Sequence, residues 1–205
     1  FINYEKLDSC FKDLEKKLKK RNSCCVLVEP IQCTYGDHYY PNIFFKNLRK
    51  LCNKYDIPLI FDEIQTGFCA TGKKWYYEYT NIIPDIVIFG KKTQLSGIMV
   101  KKKYAKIFKK PIRLEVTWDA DIVDMVRCKY IIKAFKEKKV LNNVNKNGDL
   151  FYNNLLNIKG LQNIRNSGLL FAIDLESNLK RDKFIKYLTK FGLLCNPTRD
   201  KTIRF

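Results

Sequence analysis

Three short apolar runs narrow most what this chain can fold into: "CCVLVEP" at 24–30, "IPLIFDE" at 57–63 and "PDIVIFG" at 84–90. Continuous rather than alternating hydrophobicity is the pattern of strands buried on both faces. Between the first two lies "PNIFFKNLRKLCNKYD", 41–56. Its proline suits a first helical turn, and Ile43, Phe44, Leu48, Leu51 and Cys52 share one side. Strand, helix and strand with short joints form a right-handed crossover, which predicts an α/β chain with a largely parallel sheet. Leu7, Cys10, Phe11, Leu14 and Leu18 recur at steps of three and four and predict an amphipathic helix before the first strand, over 4–21.

In open sheets of this kind ligands lie beyond the carboxyl ends of the strands. Asp62 sits at one such end, and Lys91 and Lys92 directly follow another. An acid and a lysine can therefore face one crevice. From Thr117 the pattern changes. "DADIVDMVRCKYIIKAFKEKK", 119–139, reads as a long helix with Ile122, Val123, Met125, Val126, Ile131, Ile132 and Phe135 to bury, and 148–157 continues helically. "SGLLFAIDL" and "GLLCNP" read as strands flanking a helix around "RDKFIKYLTKF". The expected division is a first domain over 1–116, a connecting helix over 117–142 and an α+β unit over 143–205.

With 46% hydrophobic and 14% aromatic residues, the chain is globular rather than disordered. It holds no run of 18 apolar residues, and "FINYEKLDSC" lacks the basic start and apolar block of a secretory signal. A cytoplasmic location without a membrane partner is expected. The formal charge of +18 raises the question of nucleic acid. The lysines are spread along the chain, however, with no basic stripe interleaved with aromatics, so no nucleic-acid partner is expected. The densest patch, "VKKKYAKIFKK" at 100–110, reads as a solvated helix face. Eight cysteines without CxxC spacing read as free, mostly buried thiols of a reducing compartment. The single histidine, His38, has no partner at ligand spacing, so no metal is expected.

One chemistry suits a strand-end acid beside a lysine. Pyridoxal phosphate needs an amine to hold its aldehyde and a carboxylate to keep its ring nitrogen protonated. An anion beside a pyridinium stabilises the charged form of both. An ordinary strand-end carboxylate fits the same spacing, which leaves both readings open.

Five segments in order carry a resemblance: "VEPIQ" at 28–32, "FDEIQTGFCATGKKW" at 61–75, "PDIVIFGKKTQLSG" at 84–97, "TWDADIVDMVR" at 117–127 and "KTIRF" at 201–205. Together they resemble the class III pyridoxal phosphate aminotransferases. Within that family "FGKKTQ" and the segment after Thr117 resemble the lysine 6-aminotransferases most, with the 4-aminobutyrate enzymes next. The resemblance implies the fold type I of pyridoxal phosphate transferases, present as part of the mostly parallel large-domain sheet plus the C-terminal small domain. It implies transfer of the terminal amino group of lysine to 2-oxoglutarate, or, in the same class, an acetylornithine, succinyldiaminopimelate or 4-aminobutyrate donor.

By position, the resemblance makes Lys91 the lysine that bonds the cofactor aldehyde. Asp62 becomes the partner of the ring nitrogen, Gln65 the donor to the phenolic oxygen and Ile64 the side chain packed on the ring. Thr117 resembles the threonine that reaches the cofactor phosphate of a second subunit, which implies a homodimer. Arg204 resembles the arginine that clamps a substrate α-carboxylate, a task suited to a planar guanidinium. From the residues alone, Lys92 competes with Lys91, Glu63 and Glu29 read as acids holding loop amides, and Gln65 and Thr117 read equally as loop caps.

The sequence also departs from the family. Thr34 stands where the family's "VEPIQ" segment continues to a glutamate that pairs with the arginine and swings away for the second substrate. Asp119 and Ala120 replace a glycine pair, and Ala70 stands where many relatives carry arginine. Family members run to about twice this length, so the reading is of a C-terminal half, with a companion N-terminal half as a possible partner. A degenerate, non-catalytic remnant is the rival of another class.

Overall fold

The computed structural model describes residues 4–109, 121–199 and 201–205. In chain order the elements are α1 (Tyr4–Lys19), β1 (Val26–Val28), β2 (Ile31–Gln32), β3 (His38–Tyr39), α2 (Asn42–Lys54), β4 (Leu59–Asp62), α3 (Tyr77–Thr80), β5 (Ile86–Phe89) and β6 (Gly97–Val100), followed by α4 (Ile122–Glu137), α5 (Val140–Leu156), β7 (Gln162–Ser167), β8 (Leu170–Asp174), α6 (Asn178–Lys190), β9 (Asn196–Thr198) and β10 (Thr202–Arg204). Short 3-10 helices cover Cys33–Tyr35 and Lys102–Lys109. The chain divides into two compact units: Phe1–Pro30, Tyr40–Gln65 and Tyr76–Ala134, and Ile31–Tyr39, Thr66–Trp75 and Phe135–Phe205.

The first unit is built on a sheet of order β1-β4-β5-β6. β1, β4 and β5 run parallel, with Val28 opposite Phe61 and Phe61 opposite Val87. β6 closes the sheet antiparallel to β5. Leu59, Phe61 and Val87 are buried on one face, where α2 packs through Phe45, whose ring lies 5.5 Å from that of Phe61. Phe44 of α2 meets Phe11 of α1 at 5.6 Å and stacks on Tyr40 at 4.2 Å. The α1 stripe is the expected one, with Leu7 and Leu18 buried, except that Cys10 is exposed.

The expectation of strands buried on both faces fails here. Successive side chains of a strand point to opposite sides, and on the side away from Phe61 residue Leu27 is 54% exposed while Ile60, Ile86 and Ile88 are half-buried. The described residues cover only one face.

At the far end of the sheet Asp85 is a buried hub. It accepts from Arg49 at 2.6 Å, Lys101 at 3.1 Å and the Leu59 amide at 2.9 Å. Burial works to raise its carboxyl, but these donors together hold it below the ordinary value. Within the 100–110 run, Lys101, Lys102, Lys103, Lys106 and Lys109 are exposed, as read, although the helix there is of the 3-10 type.

The second unit carries a sheet of order β7-β8-β10-β9, antiparallel throughout, and the small β2–β3 pair. Its core gathers Leu155 of α5, Phe171 and Ile173 of β8, Leu175 just after β8, and Ile203 of β10. Gly148 and Gly168 allow two close approaches: a Cβ on Gly148 would lie 2.5 Å from the Gly168 carbonyl oxygen, and one on Gly168 2.5 Å from the Thr71 backbone. The strand β9 begins at Asn196, later than the "GLLCNP" expected, because Gly192 and Leu193 first bond back to Thr189 and Leu188 at the end of α6.

The helix expected over 119–139 is present as α4, but Ile122 is 76% exposed, Val123, Met125, Val126 and Ile132 are exposed too, and Cys128 is buried instead. Its apolar residues run around the helix rather than along one stripe, so no single neighbour covers them all. Four of the eight free cysteines are buried, and Cys10 and Cys24 are exposed. Among the described residues no helix is long and apolar enough to cross a membrane.

Candidate active site

In the first unit the carboxyl ends of β4 and β5 bring together Asp62, Ile64, Gln65 and the Lys91–Lys92 pair. Asp62 is in register with Ile88, and the Glu63 amide donates to the Ile88 carbonyl at 2.9 Å, so the two chain exits leave the sheet side by side. β5 and β6 then form a hairpin pairing Phe89 with Gly97, and Lys91 sits in its loop. Lys92 N–H to Gly90 O and Gln94 N–H to Lys91 O tighten that loop at 2.8 and 2.9 Å.

The two lysines are not equivalent. Lys92 Nζ donates to the carbonyls of Gln65 at 2.7 Å and Ile64 at 3.4 Å, stitching the two loops together. Lys91 is exposed, and its side-chain amine makes no hydrogen bond or ion pair among the described residues. Its φ of +57 lies in the left-handed region, which costs a non-glycine residue of order 1–2 kcal/mol. The hairpin thus holds an unpartnered amine in a strained turn.

Asp62 Oδ1 accepts from the Ile64 amide at 3.0 Å, a local turn that fixes the side chain and leaves Oδ2 without a donor among the described residues. Ile64 and Gln65 are half-buried, and the Gln65 amide group makes no hydrogen bond among the described residues. Glu63, one residue on, points the other way into the core. It is 1% exposed and accepts from the amides of Tyr76 at 2.6 Å and Tyr77 at 2.9 Å, capping α3. This is the loop-amide role read for it. Glu29, read the same way, holds no such amide among the described residues. Thr117 and Asp119 lie outside the described residues.

Arg204 belongs to the second unit. It lies on β10, paired with Ala172 of β8 and Asn196 of β9, and its Nη1 is buried without an acceptor among the described residues. Around it Arg165 and Asp174 form an ion pair of 3.0 Å, and Asp174 also accepts from Thr202 at 2.6 Å and Asn163 at 3.0 Å. Burial works to raise Asp174, but these donors hold it below the ordinary carboxylate value. Arg199 stacks on the Tyr35 ring at 3.5 Å and meets His38 Nε2 at 2.8 Å. Burial, and then the Arg199 charge, push the imidazole down. Thr34, in the place of the family's glutamate, is exposed, and its carbonyl accepts from Thr198 at 2.6 Å.

The family model for aminotransferases of class III matches residues 3–205. The chain belongs to the class III aminotransferases, enzymes that depend on pyridoxal phosphate. It is 33% identical to the L-lysine-epsilon aminotransferase of Mycobacterium tuberculosis over 190 residues, which is 88% of this chain and 42% of that enzyme. It is 33% identical to the 4-aminobutyrate aminotransferase of Dictyostelium discoideum, over 99% of this chain and 42% of that one. Among solved structures it superposes on the lysine aminotransferase of M. tuberculosis with a TM-score of 0.85 at 31% identity, covering 95% of this chain and 47% of that one. The ornithine delta-aminotransferase of Plasmodium falciparum gives 0.84 at 27%, covering 95% and 53%. The chain spans under half the length of the curated relatives it matches.

The residues present fit the family's cofactor. An exposed amine without a partner and a carboxylate oxygen without a donor, among the described residues, stand at the ends of adjacent parallel strands, while the neighbouring lysine is committed to two carbonyls.

Proposed function

We propose that this chain carries the C-terminal part of a pyridoxal phosphate-dependent aminotransferase that moves the terminal amino group of lysine to 2-oxoglutarate. The observation that carries the reading is the division of labour between Lys92, tied to Gln65 and Ile64, and Lys91, whose amine makes no such bond. Pyridoxal phosphate, when bound, supplies the electron sink that makes a proton on an amine-bearing carbon removable. Lys91 is the group that would bond its aldehyde, and once the incoming substrate amine displaces it, its freed Nζ would take and return the proton at that carbon. Asp62 would hold the ring N–H, Ile64 would pack on the ring and Gln65 would donate to the phenolic oxygen. Arg204 holds the substrate α-carboxylate, and Thr117 serves the phosphate of a second subunit in a homodimer. A companion segment supplies the rest of the family's length.

Lysine as donor is supported by the "FGKKTQ" segment and by the likeness to L-lysine-epsilon aminotransferases. Acetylornithine, succinyldiaminopimelate and 4-aminobutyrate are the competing donors. Absorption spectroscopy with added pyridoxal phosphate tests the first part. A band in the protonated-imine region that Lys91→Ala abolishes supports the reading. If the band survives Lys91→Ala and Lys92→Ala removes it, the assignment of the two lysines is reversed. Turnover with each donor, using 2-oxoglutarate as acceptor, tests the second part, and a non-catalytic remnant binds the cofactor without turning over any of them.

A further inference from the structure

Asp37 is an unused acid in the second unit. It is fully buried, follows the turn between β2 and β3 with a φ of +48, and neither of its carboxylate oxygens meets a donor among the described residues. Burial without donors is the arrangement that disfavours a carboxylate. The turn itself is clamped: Gly36 N–H donates to Thr198 Oγ1 at 3.1 Å, and Arg165 donates to the carbonyls of Gly36 and Asp37. The acid is therefore held in place by its backbone.

The other charges around it are already paired. Arg165 is engaged by Asp174 and three carbonyls, Asp174 by Thr202, Asn163 and Arg165, and Arg199 by Tyr35 and His38. His38 Nε2, accepting from Arg199, is the neutral form. What remains is Arg204, whose charge is the strongest acting on Asp37 and whose buried Nη1 has no acceptor among the described residues. A carboxylate without donors and a guanidinium nitrogen without an acceptor are the two ends of one incomplete pair.

We propose that Asp37 is the positioning counter-charge of Arg204, and that it takes up a proton when a carboxylate ligand occupies the guanidinium. The inference rests on the reading of Arg204 as a carboxylate clamp. The balance is simple: one anion enters, one proton from solvent neutralises Asp37, and the net charge of the pair with its ligand is unchanged. With burial pushing the Asp37 carboxyl up to about 7, against the lowering pull of Arg204 and Arg165, the exchange falls in the neutral range. By reciprocity, a ligand that drives proton uptake binds more weakly as protons become scarce.

The test uses glutarate, a dicarboxylate that cannot be transaminated, titrated calorimetrically into the protein between pH 6 and 9 in buffers of different ionisation enthalpy. The expected result is proton uptake approaching one per glutarate near pH 8, and affinity falling up to tenfold per pH unit above 7. Asp37→Asn abolishes the uptake, flattens the profile and binds at least tenfold tighter than wild type at pH 8.5. A wild-type slope in Asp37→Asn, with binding weakened by Arg204→Lys, overturns the role of Asp37 and leaves the clamp standing. Arg204→Lys binding as tightly as wild type sinks the clamp reading and the inference with it. Without any ligand, the carbon-13 titration midpoint of the Asp37 carboxyl moves upward in Arg204→Gln, and an unmoved midpoint overturns the pairing.

Discussion

Lys92 Nζ donates to the Gln65 carbonyl oxygen across 2.7 Å, joining the loop after β5 to the loop after β4. The amine of the lysine beside it in the chain makes no bond among the described residues. Adjacent residues of one type thus split into one whose amine ties two loops together and one whose amine makes no bond among the described residues, and the split is set by which of them the hairpin turns toward the neighbouring loop.

The two should separate under mutation. Lys91→Ala touches an exposed side chain and is expected to change unfolding free energy by no more than about 0.5 kcal/mol. Lys92→Ala removes a charged donor from two carbonyls and is expected to cost about 1–2 kcal/mol. Only Lys91→Ala should abolish cofactor absorption in a protein that still melts as wild type does. Urea titration alongside the spectrum measures both.

Asp85 ties Arg49, Lys101 and the Leu59 amide together in the first unit. Asp85→Ala leaves Arg49, with only 16% of its side chain exposed, without its anion, and is expected to cost about 3–5 kcal/mol at pH 7. Because the folded carboxyl is held below its ordinary value, its contribution is full above that value and drains away as pH falls beneath it. The gap between wild type and Asp85→Ala should therefore narrow below about pH 4, which denaturant titrations at pH 7 and pH 3 would reveal.

Asp37 has the opposite sign. Its folded carboxyl lies near 7 against an ordinary 3.8, so the fold holds the proton more tightly than the unfolded chain. Stability is penalised progressively as pH rises from about 4 to about 7, and fully above that. Asp37→Asn keeps the shape and cannot ionise. It is expected to match wild type near pH 4 and to exceed it by about 2–4 kcal/mol at pH 8. Equal losses in both proteins across this window would contradict the placement of the acid.

Gly148 in α5 inverts a familiar rule. Glycine inside a helix is ordinarily worse than alanine by about 0.5–1 kcal/mol. Here the added methyl would meet the Gly168 carbonyl oxygen at 2.5 Å, and backbone cannot swing aside as a side chain can. Gly148→Ala is expected to lower stability by about 1–3 kcal/mol, read from the shift of the thermal midpoint.

The first unit was largely legible because its signals are local and strong. The runs around Val26, Leu59 and Ile86 are apolar and short, α1 and α2 carry clear stripes, and Asp62 and Lys91 fall at strand ends by position alone. The strands β7, β10 and the β2–β3 pair were not legible. "QNIRNS" in β7 is polar, with two asparagines and an arginine of little intrinsic strand preference, and becomes a strand because β8 pairs with it. β6 was hidden within four residues, Gly97–Val100, that run straight into a lysine-rich stretch. The exposure of α4 went unseen because hydrophobic composition says that a face seeks cover, and not which residues supply it.

Order along the chain and hydrophobic pattern therefore determined the α/β class, the crossover and the strand ends that present an acid and an amine, since each depends on residues within a few positions of one another. Which lysine is left unpartnered, which glutamate caps a helix, and that Asp37 is buried with Arg204 as its strongest neighbouring charge were decided by tertiary structure alone. Hydrogen bonds and desolvation act between groups brought close by folding, and their partners are not written next to them in the sequence.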